Sequence, residues 1–227
     1  MAGPVSEPVF VPLPRVAAPL REQVLDRLRQ AIVEQKLPPG HRLIERELVE
    51  QIGVSRTTVR EVLRELAAEG LVKTIPQKGA VVAVPSAQEA AELYEVRAAL
   101  EALAARRFVA HATPAHLVQL REAFVEIERV THDGGDIRAM LAAKDRFYDV
   151  LLRGCGNGAV HEILAGLKAR VALLRTASLS QPGRAAKSVD EIRAIVDAVE
   201  ARDADAAARA CAAHVERAAS TGLGALG

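Results

Sequence analysis

The sequence predicts a mainly α protein, with an N-terminal winged helix-turn-helix domain followed by a C-terminal antiparallel α-helical bundle. Three observations carry that prediction. Two helical stretches meet at a tight turn around Gly53; two β-rich runs follow at once around Pro76-Gln77-Lys78-Gly79; and beyond Pro85 six amphipathic stretches succeed one another without a strand signal. A chain of 227 residues, half of them apolar, has material for two such cores.

In chain order, the first 19 residues carry Pro4, Pro8, Pro12, Pro14 and Pro19. Fixed φ and missing N–H groups at that density suit a flexible arm over residues 1–19. From Leu20, the apolar residues Val24, Leu25, Leu28, Ile32 and Val33 recur at helical spacing until Leu37-Pro38-Pro39-Gly40 stops the helix. A short helix fits Glu45 to Ile52, with Gly53 as its left-handed closing residue. Ser55 then stands ready to cap a third helix whose stripe is Val59, Val62, Leu63 and Leu66 and whose end is Gly70. Leu71–Ile75 and Ala80–Val84 read as a hairpin tipped by Lys78 and Gly79, completing a winged helix over residues 20–85.

Pro85 interrupts the second run, and Ser86-Ala87-Gln88-Glu89 is a capping box, so a helical domain is expected over residues 86–221, with 222–227 as a flexible tail. Its first stripe is Leu93, Val96, Leu100 and Leu103. Thr113-Pro114 opens the second helix, with Leu117, Leu120, Phe124 and Ile127 inward. Asp136 caps a third bearing Ile137, Met140, Leu141, Phe147 and Leu151. The remaining stripes are Val160 to Leu174, Ile192 to Val199, and Ala210, Cys211, His214 and Val215. Six helices without strands make an antiparallel bundle.

Composition excludes several classes of function. Lys plus Arg (30) nearly balances Asp plus Glu (29), so any nucleic-acid or acidic partner has to meet a local patch. Residues 1–85 hold 12 basic and 10 acidic side chains, so that patch must come from placement. The absence of Trp and the scarcity of other aromatics argue against single-strand stacking. With no apolar run of about 18 residues and no signal-peptide pattern, the expectation is a cytoplasmic protein with no membrane partner. Cys155 and Cys211 have neither CxxC spacing nor clustered His and read as small buried hydrophobes. His161-Glu162 lacks the second His of a metalloprotease motif, and Gly154-Cys155-Gly156-Asn157-Gly158 joins two helices, which makes it a helix stop and cap. Paired carboxylates, a nucleophile with its base and a cofactor loop are all missing, so no catalytic residue is assigned and no cofactor is expected.

The densest chemistry lies in Val54-Ser55-Arg56-Thr57-Thr58-Val59-Arg60. If Ser55 caps the helix, Arg56, Thr57 and Thr58 occupy its first turn and Arg60 lies one turn on, while the apolar stripe faces inward. Hydroxyls and amides at a helix N-terminus bind phosphate, and arginine addresses guanine O6 and N7 bidentately in the major groove. The run LREQVLDRLRQAIVEQKLPPGHRLIERELVEQIGVSRTTVREVLRELAAEGLV, with the wing QKGAVVAV, resembles the DNA-binding domain of GntR-family transcription regulators, departing at Gln35 where that family commonly has Gly. The resemblance implies operator contacts for Arg46, Arg56, Thr57, Thr58, Arg60 and Gly79, with Ser55, Gln77 and Lys78 following as cap and wing residues. LYEVRAALEALAARR, FYDVLLRGCGN and AVEARDADAAARACAAHVERA are similar to the FCD effector domain of the FadR-like subgroup, which implies a homodimer on a symmetric operator.

The second domain departs from its family's pattern. On the stripe 137, 140, 141, 144, 148, 151, Lys144 and Tyr148 lie one turn apart on the inward face, where polar groups need partners. His214 falls on an apolar stripe, and Arg97 extends the face of Leu93 and Leu100. Many FCD domains hold a divalent metal through a carboxylate or amide and three His; this chain offers Lys144, Tyr148, Ile192 and His214 at those positions. One imidazole and a lysine cation do not make that site, so no metal is expected. Instead Arg97, Lys144 and Arg170, with Tyr148 and His214, are expected to form a cationic pocket for a small organic-acid or phosphorylated metabolite. The functional expectation is a ligand-responsive repressor that binds double-stranded operator DNA as a dimer. A metal-dependent regulator, an architectural DNA-binding protein and a helical enzyme are the alternatives.

Overall fold

The computed structural model describes residues 18–224, with side chains from Leu20 onward. Among these residues nine helices and one two-stranded sheet occur in the order α1 (Ala18–Val33), α2 (Glu45–Ile52), α3 (Arg56–Ala68), β1 (Val72–Ile75), β2 (Gly79–Val82), α4 (Ala87–His111), α5 (Pro114–His132), α6 (Ile137–Gly154), α7 (Gly158–Leu179), α8 (Arg184–Glu200) and α9 (Ala204–Gly224). The architecture is the expected one: a winged helix-turn-helix, then six helices.

Two boundaries differ from the sequence reading. α1 takes in Ala18 and Pro19, which the arm had claimed; Pro19 sits in the first turn, where a missing N–H breaks no helical bond. The rest of the arm lies outside the described residues. At the other end α9 continues through Gly224, so residues 222–224 are helical rather than tail, and 225–227 lie outside the description. The physical reason is packing: Leu223 joins the cluster of Ala90, Leu93, Tyr94 and Val215, and a Cβ at Gly222 would stand 2.6 Å from the Tyr94 hydroxyl.

In the first domain Val24, Leu25, Leu28 and Ile32 of α1 pack with Leu48 of α2 and with Val59, Val62, Leu63 and Leu66 of α3. α2 ends at Gly53 with φ +75, the left-handed closure that glycine adopts without steric cost. Gln35 also takes a left-handed φ of +59, supplying with a side chain the turn that glycine supplies elsewhere. β1 and β2 pair antiparallel with Val72 opposite Val82 and Ile75 opposite Gly79. One feature of the wing was not legible: His41 to Leu43 lies against β2, with Leu43 N–H donating to Ala80 O at 2.8 Å and Val82 N–H to His41 O at 2.9 Å. Pro38-Pro39-Gly40 hides this single-residue β-bridge at Arg42, because nothing there alternates.

In the second domain the caps fall where the sequence puts them. Ser86 and Glu89 form the reciprocal box, Thr113 and Asp136 cap α5 and α6, and Asn157 caps α7 after Gly156 closes the preceding turn. α4 lies along α9, α5 against α6 and α8, and α8 against α9. Phe108, Phe124, Ile127, Phe147, Leu151, Ile192, Ile195, Val199 and Cys211 fill the shared core.

Candidate DNA interface and effector cluster

The first turn of α3 is built by its cap. Thr58 N–H donates to Ser55 Oγ at 3.1 Å, and the two hydroxyls lie 2.9 Å apart. With Val59, Val62, Leu63 and Leu66 buried, the same helix leaves Arg56, Thr57 and Arg60 exposed and Thr58 half-buried beneath its cap. Arg46 projects from α2 with its Nε no closer than 3.9 Å to Glu50. At the wing tip Lys78 N–H closes a turn onto Ile75 O at 3.1 Å; Gln77 and Gly79 both take positive φ, and all three side chains or backbones are exposed. One contact was missed by sequence reasoning. Glu45, the first residue of α2, lies 2.9 Å through each carboxylate oxygen from Arg60 Nε, and 3.4 Å from Arg56 Nε.

The second site is a cluster of charged side chains inside the bundle. Arg97 and Glu101 on α4, Lys144 and Tyr148 on α6, Arg175 on α7, Arg184 and Ser188 on α8 and His214 on α9 are all buried. Arg97 Nε donates to Glu101 Oε1 at 3.0 Å, and Arg175 approaches the same oxygen at 3.8 Å while donating to Asp145 at 2.8 Å. The Arg175 guanidinium also covers the Tyr148 ring, 4.2 Å from its centroid. Lys144 Nζ donates to Ser188 Oγ. Glu191 accepts from Arg184 at 2.7 Å and pairs with His214 Nδ1 at 2.6 Å.

The electrostatics follow from this burial. Desolvation pushes the Lys144 ammonium well below its ordinary range, and Arg175, Arg184 and Arg97 push the same way. It lowers His214 to about 4, with Lys144 adding to the effect against Glu191. Burial alone would raise the Glu101 carboxyl, but Arg97 and Arg175 hold it below its usual value. Four buried basic groups thus face the carboxylates of Glu101 and Glu191, with half-exposed Asp145 at the edge. Arg97 Nη1, Arg184 Nε and Nη1, Tyr148 OH and Glu101 Oε2 have no hydrogen-bond partner in the protein. A cavity of about 80 Å³ reaches the cluster at Glu101, Tyr148 and Arg175, and its mouth carries Asp145, Asp149, His161 and Lys168.

Comparison with known proteins identifies both domains. Residues 20–82 match the family described as bacterial regulatory proteins, gntR family, and residues 92–217 match the FCD domain. The chain belongs to the GntR family. A relative from Paenarthrobacter nicotinovorans, named "Probable D-xylose utilization operon transcriptional repressor", is 33% identical over 194 residues, covering 85% of this chain and 84% of the relative. The HTH-type transcriptional repressor RspR of Escherichia coli (strain K12) is 27% identical over 198 residues, 87% of this chain and 86% of that one. The solved structure of E. coli McbR/YncC shares the fold at 22% identity, with a TM-score of 0.74 over 89% of this chain and 95% of that one. This GntR chain is therefore a DNA-binding transcription regulator, not an enzyme.

Within that family frame the FCD domain keeps its own chemistry. The positions that hold a metal in many FCD domains do not fit one here: Lys144 is a donor, Tyr148 is a buried phenol and Ile192 is apolar, which leaves His214 as the one imidazole among them. Among the described residues no three His, Cys, Asp or Glu side chains converge as a metal site. Of the residues expected in the pocket, Arg97, Lys144, Tyr148 and His214 come together in the cluster, and of these Tyr148 lines the cavity. Arg170 does not: it is half-buried on the opposite side of α7, with Cδ 3.0 Å from where a Cβ of Gly70 would stand. Arg175, five residues later, returns to the inner face because the helix turns by about 100° per residue. Arg175, Arg184, Ser188 and Glu191 were missed, although Arg175 continues the stripe of Leu164 and Val171, and Arg184 and Ser188 extend that of Ile192 and Ile195 backward.

Proposed function

We propose that this regulator is a repressor which binds a palindromic operator as a homodimer and is controlled by a small acid held in the buried cluster. Arg56, Thr57, Thr58 and Arg60, capped by Ser55, enter the major groove; Arg46 contacts the backbone beside them; Gln77, Lys78 and Gly79 form the wing contact. The names of two relatives support the sign of regulation. A dimer suits two half-sites one DNA turn apart, and Val96 and Leu103, exposed on one face of α4, offer apolar surface for it.

The observation that carries the effector reading is the set of buried donors without partners, Arg97 Nη1, Arg184 Nε and Nη1 and the Tyr148 hydroxyl, in a cluster where four basic groups meet buried Glu101 and the partly buried Glu191 and Asp145. Buried donors without partners cost roughly 1–3 kcal/mol each, and a carboxylate or phosphate oxygen satisfies several at once. The cavity is far smaller than the roughly 300–1,000 Å³ of sites for drug-sized ligands, so the effector is compact. Asp145 and Asp149 at the mouth favour an acid that also carries hydroxyl or amino donors over a polyphosphate.

α7 supplies the route from this cluster to the DNA. Leu164, Lys168, Val171 and Arg175 line one face of it, at the cavity. On the opposite face Ala169 and Leu173 pack against the core of the first domain, and the Thr176 hydroxyl is shared between Ala172 O of its own helix at 2.9 Å and Val33 O of α1 at 3.1 Å. An acid that draws Arg175 from Asp145 shifts this helix against α1, and α1 holds α3 through Arg29–Glu69 and Arg21–Glu65. A thermal-shift screen of hydroxy, amino, simple carboxylic and phosphorylated acids tests the reading. At a concentration 100 times Kd the cognate acid adds about 2.7 kcal/mol, or about 5–10 °C in Tm for a chain of this size. Stabilisation by none of them overturns the effector proposal.

A further inference from the structure

We infer that Glu45 is a positioning residue for sequence recognition: one carboxylate on α2 holds the two arginines of α3 so that their outer N–H forks face the bases. Arg60 Nε donates to the Glu45 carboxylate at 2.9 Å from each oxygen, and Arg56 Nε stands in ion-pair contact with it at 3.4 Å, without a hydrogen bond. A guanidinium has two ways to meet an acceptor pair, side-on through Nε and one Nη or end-on through its two Nη. A carboxylate placed at Nε leaves the end-on fork open, which is one of the bidentate geometries available for guanine O6 and N7.

The carboxylate itself is well anchored. Glu45 is the first residue of α2, so its negative charge is favoured by the helix N-terminus, and its side chain is half-buried at 32% exposure against 62% and 53% for Arg56 and Arg60. It does not fold the domain: the pairs it makes are exposed ones worth little stability, and the core beneath α3 is made by Val59, Val62, Leu63 and Leu66. Its consequence lies in recognition. A free arginine swings toward the nearest phosphate and binds any duplex, whereas a tethered one keeps its fork on the base edge, and the negative charge beside it weakens attraction to phosphate alone. Glu45 therefore trades non-specific affinity for sequence discrimination.

This inference rests on the proposal that α3 enters the major groove, and its test separates the two. The full chain is first used to select its preferred sequence from a random duplex library. Affinities of the wild type, Glu45→Gln, Arg60→Ala and the double variant are then measured for that duplex and for a scrambled one over a series of salt concentrations. Glu45→Gln is expected to unfold at nearly the wild-type temperature, to bind the scrambled duplex more tightly with a steeper salt dependence, and to lose about tenfold in the ratio of specific to scrambled affinity. In the Arg60→Ala background most of that loss disappears, because the arginine to be positioned is gone. A Glu45→Gln ratio equal to or above wild type, while Arg60→Ala loses specific binding, overturns the role of Glu45 alone. Unchanged specific binding by Arg60→Ala, or no selected sequence for the wild type, overturns the recognition-helix reading and this inference with it.

Discussion

His214 shows how far a single side chain departs from its ordinary chemistry in this protein. Its imidazole is buried among Lys144 on α6, Arg97 and Glu101 on α4, and Arg184 and Glu191 on α8, and is held neutral by desolvation with a pKa of about 4. The unfolded chain takes up this proton near pH 6.5, so between about 6.5 and 4 the unfolded state binds more protons than the folded one. Stability from this group is therefore complete above pH 6.5 and is lost as pH falls toward 4, by about 3 kcal/mol in total. Glu191, whose carboxyl is held low by His214 and Arg184 against its own desolvation, adds a loss of the same sign at the acid end. Urea unfolding at pH 7, 6, 5 and 4.5 is expected to show this slope in the wild type and a flatter one in His214→Gln. Equal slopes would mean that His214 is charged in the folded protein.

At the scale of elements, α7 touches both the cavity and the first domain. Its cavity-facing and domain-facing residues alternate with the helical period, so motion of Arg175 cannot leave Thr176 unmoved. A second tie runs beside it, from Arg138 of α6 to the partly buried Glu34 just past α1, at 2.9 Å. Thr176→Val keeps the shape of the contact but removes the hydroxyl shared between Val33 O and Ala172 O. We expect the variant to lose about 1 kcal/mol of stability, to retain the thermal shift caused by the acid, and to lose most of the acid's effect on operator affinity. Undiminished coupling between acid and operator in Thr176→Val would place the route elsewhere. The elements themselves were largely legible in sequence, because caps such as Ser55, Ser86, Thr113, Asp136 and Asn157 act locally and the stripes carry their own period. The sites were legible only in part. Lys144, Tyr148, Arg97 and His214 stand out as polar residues on apolar stripes, but Arg175, Arg184 and Glu191 acquire their meaning from helices far apart in the chain. Arg170 was misplaced for the same reason: which face of α7 meets which domain is set by tertiary packing.

At the scale of the whole molecule, near-zero net charge and specific DNA binding are compatible because placement replaces charge excess. Arg56 and Arg60 are exposed beside Glu45, while Arg97, Lys144, Arg175 and Arg184 are buried inside the bundle, out of reach of DNA. No helix among the described residues is long and apolar enough to cross a membrane. The central claim is that a compact acid in this buried cluster controls operator binding. Fluorescence anisotropy of the selected operator duplex, titrated with the full chain with and without the acid found by thermal shift, tests it most directly. The account predicts saturation at two chains per duplex, an affinity lowered at least tenfold by the acid in the wild type, and no effect of the acid on Lys144→Met, which keeps its fold and its operator affinity because an apolar side chain replaces a buried cation. An acid effect of equal size in Lys144→Met would contradict it.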